Sequence, residues 1–413
     1  MPANFLHGVE TIEINDGPRP VRLVKSSVIG LIGTADAGAI EQNILVTKYS
    51  DIAQFGTEAA GLTLVRELKR IFSQKPTVVI VRNVYDPVVH LTPAGVLPGS
   101  IIGGVEALTG KRLGLQGFRD CYQEFGFLPK ILIAPGWSSL TAVSTALISI
   151  ATTLRAITFI DAPVGVTVQQ AITGRGVLGT INFNTSSDRA GLCYPHVKVY
   201  NTTTNLEELA SLSTFVAGMW SRVDQEKGYW WSGSNQELLD VTGVESPIEF
   251  MINDANCEAN LLNEAGIITI ANSFGTGIRN WGNRSASWPQ SSHQKNFLNV
   301  RRTADIIAES LELATMQFLD GPLNNARIDD ILETGRRFLR HQRANGAIQD
   351  GSVWLDKDLN TVETLSSGHL LPSYDFAPFS PLERVSYQAR INTEYLKQLL
   401  QGRDKAATAS ANQ

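Results

Sequence analysis

GIITIANSFGTGIRNWGNRSASWPQSSHQKNFLNVRR occupies residues 266–302 and separates two parts of the chain that have different sequence patterns. It begins with a short apolar run typical of a strand, which leads to glycines at positions 275 and 277. A second segment from Ile278 to Arg284 and a polar loop follow, and NVRR at 299–302 opens a long helical pattern. The stretch could either cradle a ligand or join two structural units, and the rest of the chain must decide between these interpretations.

The residues before this stretch have the pattern of a parallel α/β sheet. Continuous apolar runs, typical of strands buried on both faces, are VIGLI (28–32), TVVIV (77–81), KILIA (130–134) and ITFI (157–160). Helical patterns separate these runs, and a further helix is predicted from Leu206 to about Lys227. Strands that alternate with helices predict a parallel sheet. Residues 86–110 are rich in proline and glycine and interrupt the alternation, which predicts an inserted hairpin or small subdomain.

The residues after the stretch predict two helices, at about 303–318 and 326–344, and then a strand-like region punctuated by glycine and proline. Five basic residues lie on neighbouring faces of the second helix: Arg336, Arg337, Arg340, His341 and Arg343. The spacing of 336, 340 and 343 by four and three places those arginines on one face, and we expect the patch to contain no acidic residue. The patch is either a solvated helix face or a surface that docks against an acidic protein.

Both ends of the chain have strand-like patterns without an obvious partner nearby in sequence. The apolar positions of these two arms are Val9, Ile12 and Ile14 in the first, and Val385, Tyr387, Ala389 and Ile391 in the second. The second arm alternates strictly between apolar and polar residues, as a half-buried strand does. A strand needs a partner sheet, so these arms are expected to pair with something outside their own neighbourhood.

Composition limits the class of protein. The chain has 413 residues, 43% of them hydrophobic and 18% charged, and a net charge of −5, so nucleic acid is not an expected partner. The longest apolar runs are too short to span a membrane, and the first residues lack the pattern of a signal peptide. The three cysteines are widely spaced, which favours a reducing compartment over a disulfide framework.

A search for catalytic, cofactor and metal motifs returns weak candidates. The glycines near residue 30 do not have the spacing of a dinucleotide loop, and the histidines and cysteines do not cluster. Ser138 lacks the second glycine of a nucleophile elbow and is better interpreted as a helix cap. Asp161 ends a strand, where a helix-entry turn is the better interpretation. We therefore predict no catalytic residue, cofactor or metal site.

Taken in order, many short stretches resemble the tail sheath proteins of contractile-tailed bacteriophages, and of related contractile bacteriocins and injection systems. The stretches that carry the resemblance are GVE (8–10), RPV (19–21), SSVIGLIGTA (26–35), LVT (45–47), FG (55–56), TG (109–110), ILIAPG (131–136), SDRA (187–190), YPHVKV (194–199), VAG (216–218), KGYW (227–230), LNEAGI (262–267), WGNR (281–284), NVRR (299–302) and PLER (381–384). None is diagnostic alone, but together they cover nearly the whole chain. The length is similar to that of the smaller, two-domain sheaths.

The resemblance implies an outer α/β domain and an inner, tube-facing α+β domain, with N- and C-terminal strand arms exchanged between subunits. We place the first arm at residues 1–20, the outer domain at 21–295, the inner domain at 296–380, and the second arm with a flexible tail at 381–413. Arg336, Arg340 and Arg343 become candidate contacts to the tube. Trp281, Arg284, Arg301 and Arg302 become candidate anchors at the domain junction.

The resemblance also implies a function and partners. Copies of the chain would polymerise around an inner tail tube, contact baseplate and tail terminator proteins, and contract to drive the tube through the host envelope. The polymer would belong to the virion tail and assemble in the host bacterial cytoplasm, without direct membrane insertion. Two alternatives remain: an α/β enzyme with a ligand site between Gly275 and Arg284, and a non-contractile tube or shell protein.

Overall fold

The computed structural model describes residue 21 and residues 23–202, 204–272, 275 and 277–397. The described residues up to Ser380 belong to one compact unit, and those from Pro381 onwards belong to a second. The predicted N-terminal arm, with Val9, Ile12 and Ile14, lies outside the described residues. No helix of the described chain is both long enough and apolar enough to cross a membrane.

The strands of the described chain are β1 (Ile29–Gly33), β2 (Asn43–Val46), β3 (Val79–Asn83), β4 (Ile131–Ile133), β5 (Ile157–Asp161), β6 (Ala190–Cys193), β7 (Val197–Asn201), β8 (Leu206–Ala210), β9 (Gln236–Glu237), β10 (Gly243–Val244), β11 (Ile267–Asn272), β12 (Ile278–Trp281), β13 (Ile348–Leu355) and β14 (Pro372–Pro378). The helices are α1 (Leu64–Gln74), α2 (Pro87–His90), α3 (Pro98–Ile102), α4 (Cys121–Phe125), α5 (Thr141–Leu154), α6 (Val168–Thr173), α7 (Leu212–Glu226), α8 (Glu258–Glu264), α9 (Leu298–Thr315), α10 (Asn325–Ala344) and α11 (Val362–Ser366).

One nine-stranded sheet organises the first part of the chain, in the order β2-β3-β1-β4-β5-β6-β11-β12-β9. The six strands from β3 to β11 in this order run parallel, while β2, β12 and β9 pair antiparallel at its ends. The apolar runs of the sequence form the parallel core because helices cover both faces. The prediction of a large α/β sheet is therefore confirmed.

Side chains of one strand alternate between two apolar layers. Ile29 and Leu31 of β1 face a core that includes α1 and α7, whereas Val28 and Ile32 face the core that includes α5. This alternation follows from the two-residue repeat of a strand. Since both layers are buried, the strand has to be apolar at every position.

The helix predicted from Leu206 to Lys227 is wrong in its first part. Leu206–Ala210 is β8, paired antiparallel with β7, and the helix α7 begins only at Leu212. LEELA has good helix formers, but the left-handed Asn205 (φ 55°) turns the chain back onto β7. Hairpin pairing here overrides helix propensity.

Residues 86–110, which the sequence predicts to be an inserted hairpin or small subdomain, contain the short helices α2 and α3, and a small antiparallel turn that bridges Val105 to Arg112 follows. Ile101 of α3 is fully buried in the same core as Phe118 and Leu147. The segment thus packs through α3 against the face of the sheet that α5 covers. Most other residues of the segment lie on the surface.

The two-helix prediction for the later residues is confirmed by α9 and α10. The strand-like region that follows forms an antiparallel pair, β13 and β14. Leu339 of α10 and Val353 of β13 share a small core with Ile307 of α9. The region after residue 296 is therefore α+β in composition.

Candidate functional site at the amino edge of the sheet

Helix α9 lies across the amino edge of the large sheet, where its parallel strands begin. Its side chains reach Ser26 ahead of β1, Lys130 directly before β4, Arg155 before β5 and Arg189 directly before β6. The helix follows immediately after the 266–302 stretch, so this edge is where the two parts of the chain meet.

The most buried ion pair of the edge joins Arg302 of α9 to Asp224 of α7. The guanidinium donates from Nη1 to Oδ1 at 2.8 Å and from Nη2 to Oδ2 at 2.5 Å. Nη2 also donates to the carbonyl oxygen of Ser26 at 3.0 Å, and the guanidinium lies over the Trp220 ring. Such two-point pairing fixes both the distance and the orientation of the two helices.

A second pair places Asp305 between two arginines. Arg189 Nη1 donates to Oδ2 at 2.5 Å and Nη2 donates to Oδ1 at 2.9 Å, while Arg301 binds the same carboxylate from within α9. Arg301 also donates from Nη1 to Asp188 at 3.3 Å. The carboxylate therefore links α9 to the residues that enter β6.

Two further pairs extend the line of contacts. Lys130 Nζ donates to Glu309 and, at 3.0 Å, to the carbonyl oxygen of Leu154. Arg155 pairs with Glu312 at 2.7 and 2.8 Å, and this pair is the more exposed one. Burial lowers the pKa of the Lys130 ammonium, while Glu309 acts in the opposite direction.

Besides Arg301, which reaches Asp188, the α9 residues that form ion pairs with the sheet region are at positions 302, 305, 309 and 312, spaced by three, four and three. Residues with this spacing lie on one helix face. Sequence reasoning named Arg301 and Arg302 but missed Asp305, Glu309 and Glu312. The helical spacing of these three acidic residues was a signal in the sequence that they share one face. Their partners could not be found in this way, because they are far away in sequence.

The other two predicted junction residues have aromatic partners. The guanidinium of Arg284 lies 3.9 Å from the centroid of the Trp288 ring and 4.3 Å from that of Phe297. Its Nη1 donates to Asn296 Oδ1 at 3.0 Å. Trp281 packs edge-on against Phe250 at 5.1 Å. Through this ring contact, Trp281 packs against a loop of the sheet region and not against α9.

The proposed ligand loop between Gly275 and Arg284 belongs to a hairpin. Asn272 of β11 pairs with Ile278 of β12, and Gly275 and Gly277 have φ of 75° and 82°, a conformation that favours glycine. Within the described residues, no group of three or more His, Cys, Asp or Glu side chains could hold a metal ion.

Ser138 and Asp161, the weak catalytic candidates, form a buried structural cluster at the opposite edge. The Asp161 carboxylate accepts hydrogen bonds from Ser138 Oγ at 3.1 Å, Ser213 Oγ at 2.5 Å and the Ser213 amide at 2.8 Å. All three residues are buried. Asp161 therefore joins β5 to the start of α7, and its oxygens are engaged inside the protein.

The basic face of α10 is exposed, but the expectation that it contains no acidic residue is wrong. Arg340 Nη2 pairs with Glu333 on the same helix, and Arg343 Nη1 lies 3.3 Å from Asp350 of β13. Arg336 Nε donates to the carbonyl oxygen of Val353 at 2.9 Å. The three predicted arginines thus share a region, but two of their partners come from β13, the strand that packs beside the helix.

The described part of the predicted C-terminal arm, residues 381–397, contains no strand. Residues 381–392 are irregular, and only a short 3₁₀ turn, Thr393–Leu396, follows among the described residues. Val385, Tyr387 and Ile391 are 57%, 93% and 97% exposed. Among the described residues, the segment with the alternation typical of a half-buried strand therefore has no partner strand that would bury it.

Comparisons with known proteins define the class. The phage tail sheath central domain matches residues 122–286, and the phage tail sheath C-terminal domain matches residues 290–392. The chain therefore belongs to the phage tail sheath family, and it is a structural subunit of a contractile tail sheath.

Individual relatives agree along the whole chain. The tail sheath protein of Burkholderia phage BcepMu is 41% identical and covers 97% of this chain and 100% of its own length. The tail sheath protein of Escherichia phage P2 is 29% identical and covers 96% and 98%.

Solved structures have the same fold at lower identity. The contracted helical sheath of the anti-feeding prophage has a TM-score of 0.69 at 16% identity, covering 94% of this chain and 100% of that chain. The contracted sheath of the extracellular contractile injection system PVC has a TM-score of 0.67 at 15% identity, covering 96% and 100%.

Proposed function

We propose that copies of this chain polymerise around an inner tail tube by exchanging their terminal arms, and that contraction of the polymer drives the tube through the host envelope. The observation that carries the proposal is the arm at residues 384–392. It has a strand pattern, no strand partner among the residues that the structure describes, and exposed apolar side chains. Exposed apolar side chains in such a pattern are suited to strand addition at a sheet edge.

The acceptor in this proposal is the β13–β14 pair of another copy. Among the described residues this sheet has two strands, so each strand has an edge without a strand partner. A groove of ≈ 360 Å³ lies beside it, lined by apolar side chains that include Leu311, Ile331, Val353 and Tyr374. A strand added along β14 would direct alternate side chains such as Val385 and Tyr387 towards this groove. We assign Val9, Ile12 and Ile14 to the corresponding N-terminal arm.

The arm proposal is tested by deleting residues 381–413 and, as a matched control, residues 403–413 alone. The longer deletion should leave a folded, soluble subunit that forms no connected tubes in electron micrographs, because the strand that joins copies is gone. The shorter deletion should still form tubes. Tubes from the longer deletion that match those of the full chain in length and order contradict arm exchange.

We further propose an outer domain at residues 21–295 and an inner, tube-facing domain at 296–380. In this division α9 belongs to the inner domain, and its ion pairs with Asp224, Arg189, Lys130 and Arg155 join it to the outer sheet. The inner domain would present the exposed basic face of α10 to the tube. Baseplate and tail terminator proteins would contact the ends of the polymer, which would assemble in the host bacterial cytoplasm.

The tube contact is tested with the triple variant Arg336→Glu, Arg340→Glu and Arg343→Glu. Tube docking should weaken, and more strongly at low salt, where charges are screened least. Arg119→Glu, an exposed arginine on the sheet region, is the control. Unchanged docking of the triple variant at low salt assigns these arginines to a solvated face.

A further inference from the structure

The side chain of Arg175, which lies just after α6, is surrounded by backbone carbonyl oxygens. Its Nε donates to one of them at 2.8 Å, Nη1 to two at 2.6 and 2.7 Å, and Nη2 to two at 2.6 and 2.8 Å. A guanidinium group has five N–H donors, so the number of acceptors matches the number of donors. The five acceptors form a carbonyl cage, which consists of the main-chain oxygens of Phe183, Thr185, Ala265, Ala286 and Trp288.

The main chain that carries Arg175 is itself held in place. The Arg175 amide donates to the carbonyl oxygen of Ile172 at 3.1 Å, which keeps it next to the end of α6. A Cβ atom at Gly174 would lie 2.4 Å from the side chain of Ile181, so this position has no room for a side chain unless Ile181 moves. The guanidinium therefore reaches the cage from a fixed starting point, which lowers the conformational entropy that its hydrogen bonds cost.

The charge of Arg175 is held without a carboxylate. Among the residues that the structure describes, no Asp or Glu forms an ion pair with Arg175, and burial lowers the pKa of its guanidinium. At the amino edge, in contrast, Arg189, Arg301 and Arg302 each pair with an aspartate. A buried charge is costly unless its hydrogen bonds are made, and here carbonyl oxygens accept all five.

The cage brings together three segments of main chain that are far apart in sequence. Residues 183 and 185 follow Arg175, residue 265 lies between α8 and β11, and residues 286 and 288 lie after β12. The hydrogen bonds to residues 265 and 288 span 90 and 113 positions. Because the acceptors are main-chain atoms, Arg175 fixes the path of the chain itself, including a loop of the 266–302 stretch.

The loop that the cage fixes supports the start of α9. The guanidinium carbon of Arg284 lies 3.9 Å from the centroid of the Trp288 ring and 4.3 Å from that of Phe297. Phe297 directly precedes α9, and the amide of Leu298, the first residue of the helix, donates to the Asn283 carbonyl oxygen at 2.9 Å. An unbroken series of contacts therefore leads from the cage to the first turn of α9.

We propose that the carbonyl cage is a binding site specific for a guanidinium group, and that Arg175, by occupying it, is a positioning residue for the start of α9. The inference concerns the folded subunit and does not depend on polymerisation. A planar guanidinium directs five donors outward from a rigid fork, whereas an ammonium group has three donors on one compact centre. Lysine at this position can therefore satisfy at most three of the five carbonyl oxygens.

The test measures thermal unfolding of the full-length subunit with Arg175→Ala, in millimolar guanidinium chloride or in ammonium chloride at the same concentration. The variant should unfold at a lower temperature than the wild type. Guanidinium should restore part of this loss because it binds the folded state, while ammonium adds the same charge without the planar donors and should not. The wild type and Arg119→Ala, at an exposed position, should gain nothing from guanidinium.

Hydrogen exchange distinguishes positioning from general stability. In Arg175→Ala, exchange at residues 297–302 should become faster than in the wild type, by a larger factor than exchange in β4, and should slow again with guanidinium. Arg175→Lys should also unfold at a lower temperature and exchange faster at residues 297–302, because at least two carbonyl oxygens of the cage lose their donor.

The other outcomes overturn the inference. An Arg175→Lys subunit with the unfolding temperature and exchange of the wild type shows that five-point binding is not needed. Recovery of Arg175→Ala with ammonium as well, or no recovery with guanidinium, contradicts the guanidinium site. A lower unfolding temperature without faster exchange at residues 297–302 contradicts the positioning role. If Arg175→Ala does not fold in buffer, refolding with guanidinium but not with ammonium supports the site, and refolding with neither contradicts it.

Discussion

The two edges of the large sheet differ in how they meet their surroundings. At the amino edge, α9 covers the strand ends, and Arg302 and Asp224 are almost fully buried together. At the carboxyl edge, Asp161 holds the interior together, while Leu108, Leu140 and Val164 are exposed beyond it. The amino edge is therefore completed within one chain, whereas the carboxyl edge presents apolar surface to the outside. In an assembling subunit, this difference separates residues that maintain the fold from residues that are free to contact another copy.

The largest expected effect is at the amino edge. Arg302→Met leaves the buried carboxylate of Asp224 without its partner, so the free energy of unfolding should fall by about 3–5 kcal/mol. Urea denaturation of the subunit measures this change. Adding Asp224→Leu removes the unpaired charge and should recover a large part of the loss. If the double variant is no more stable than Arg302→Met, the loss comes from packing around Trp220 rather than from charge.

The next largest effect is expected in the dependence of folding stability on alkaline pH, which should differ in sign between one group at each edge. Tyr194 follows β6 at the carboxyl edge, its hydroxyl donates to the Val166 carbonyl oxygen at 2.9 Å, and burial raises its pKa to about 12. The folded state therefore keeps this proton longer than the unfolded state, whose tyrosine pKa is about 10. This contribution to stability is complete below pH of about 10 and is lost as the pH rises towards 12.

The contribution of Lys130, at the amino edge, to folding stability should change with pH in the opposite direction. Its pKa is lowered by burial, so the folded state releases the proton first, and stability from this group rises as the pH approaches the unfolded value of 10.5. Urea midpoints between pH 9 and pH 11.5, chosen to span these values, measure both slopes. Tyr194→Phe should reduce the loss at high pH. A wild-type curve that Tyr194→Phe leaves unchanged contradicts the role of Tyr194.

The smallest expected effect is at the exposed carboxyl edge. Leu108→Ser should change the free energy of unfolding by no more than about 0.5 kcal/mol, because the side chain is exposed and has no buried contact to lose. The matched substitution Leu147→Ser, in the buried face of α5, should cost several times more. A large loss from Leu108→Ser in the isolated subunit removes the distinction between the two edges.

The central sheet could be predicted from sequence because its strands are buried on both faces. Runs such as VIGLI and TVVIV leave few alternatives, and the strand-helix-strand order implies parallel pairing. The LEELA segment could not be assigned in the same way, since its residues favour a helix and only pairing with β7 makes it a strand. The preference of individual residues for helix or strand predicted the secondary structure correctly where a segment is buried on both faces. It failed where pairing with a neighbouring strand determines the secondary structure.

The amino-edge site was only half visible in the sequence. Arg301 and Arg302 were named because they lie in a recognisable stretch, and their α9 neighbours Asp305 and Glu309 share a regular spacing. The partners Lys130 and Arg189 come from strand starts more than a hundred residues away, and no local pattern links them to the helix. The acidic neighbour of Arg343 was missed for a similar reason, because Asp350 approaches from a separate strand.

The line of ion pairs along α9 has a mechanical consequence. Besides the Arg301–Asp188 pair, α9 forms ion pairs to the sheet region through Arg302, Asp305, Glu309 and Glu312, which lie side by side on one helix face. A force along the helix axis therefore stretches all of these ion pairs at once. A hinge-like rotation of α9 away from the sheet would instead break the ion pairs one after another. Contacts that share a load in this way yield at a higher force than the same contacts broken in succession. The contact between α9 and the sheet region is thus suited to transmit force as a rigid joint.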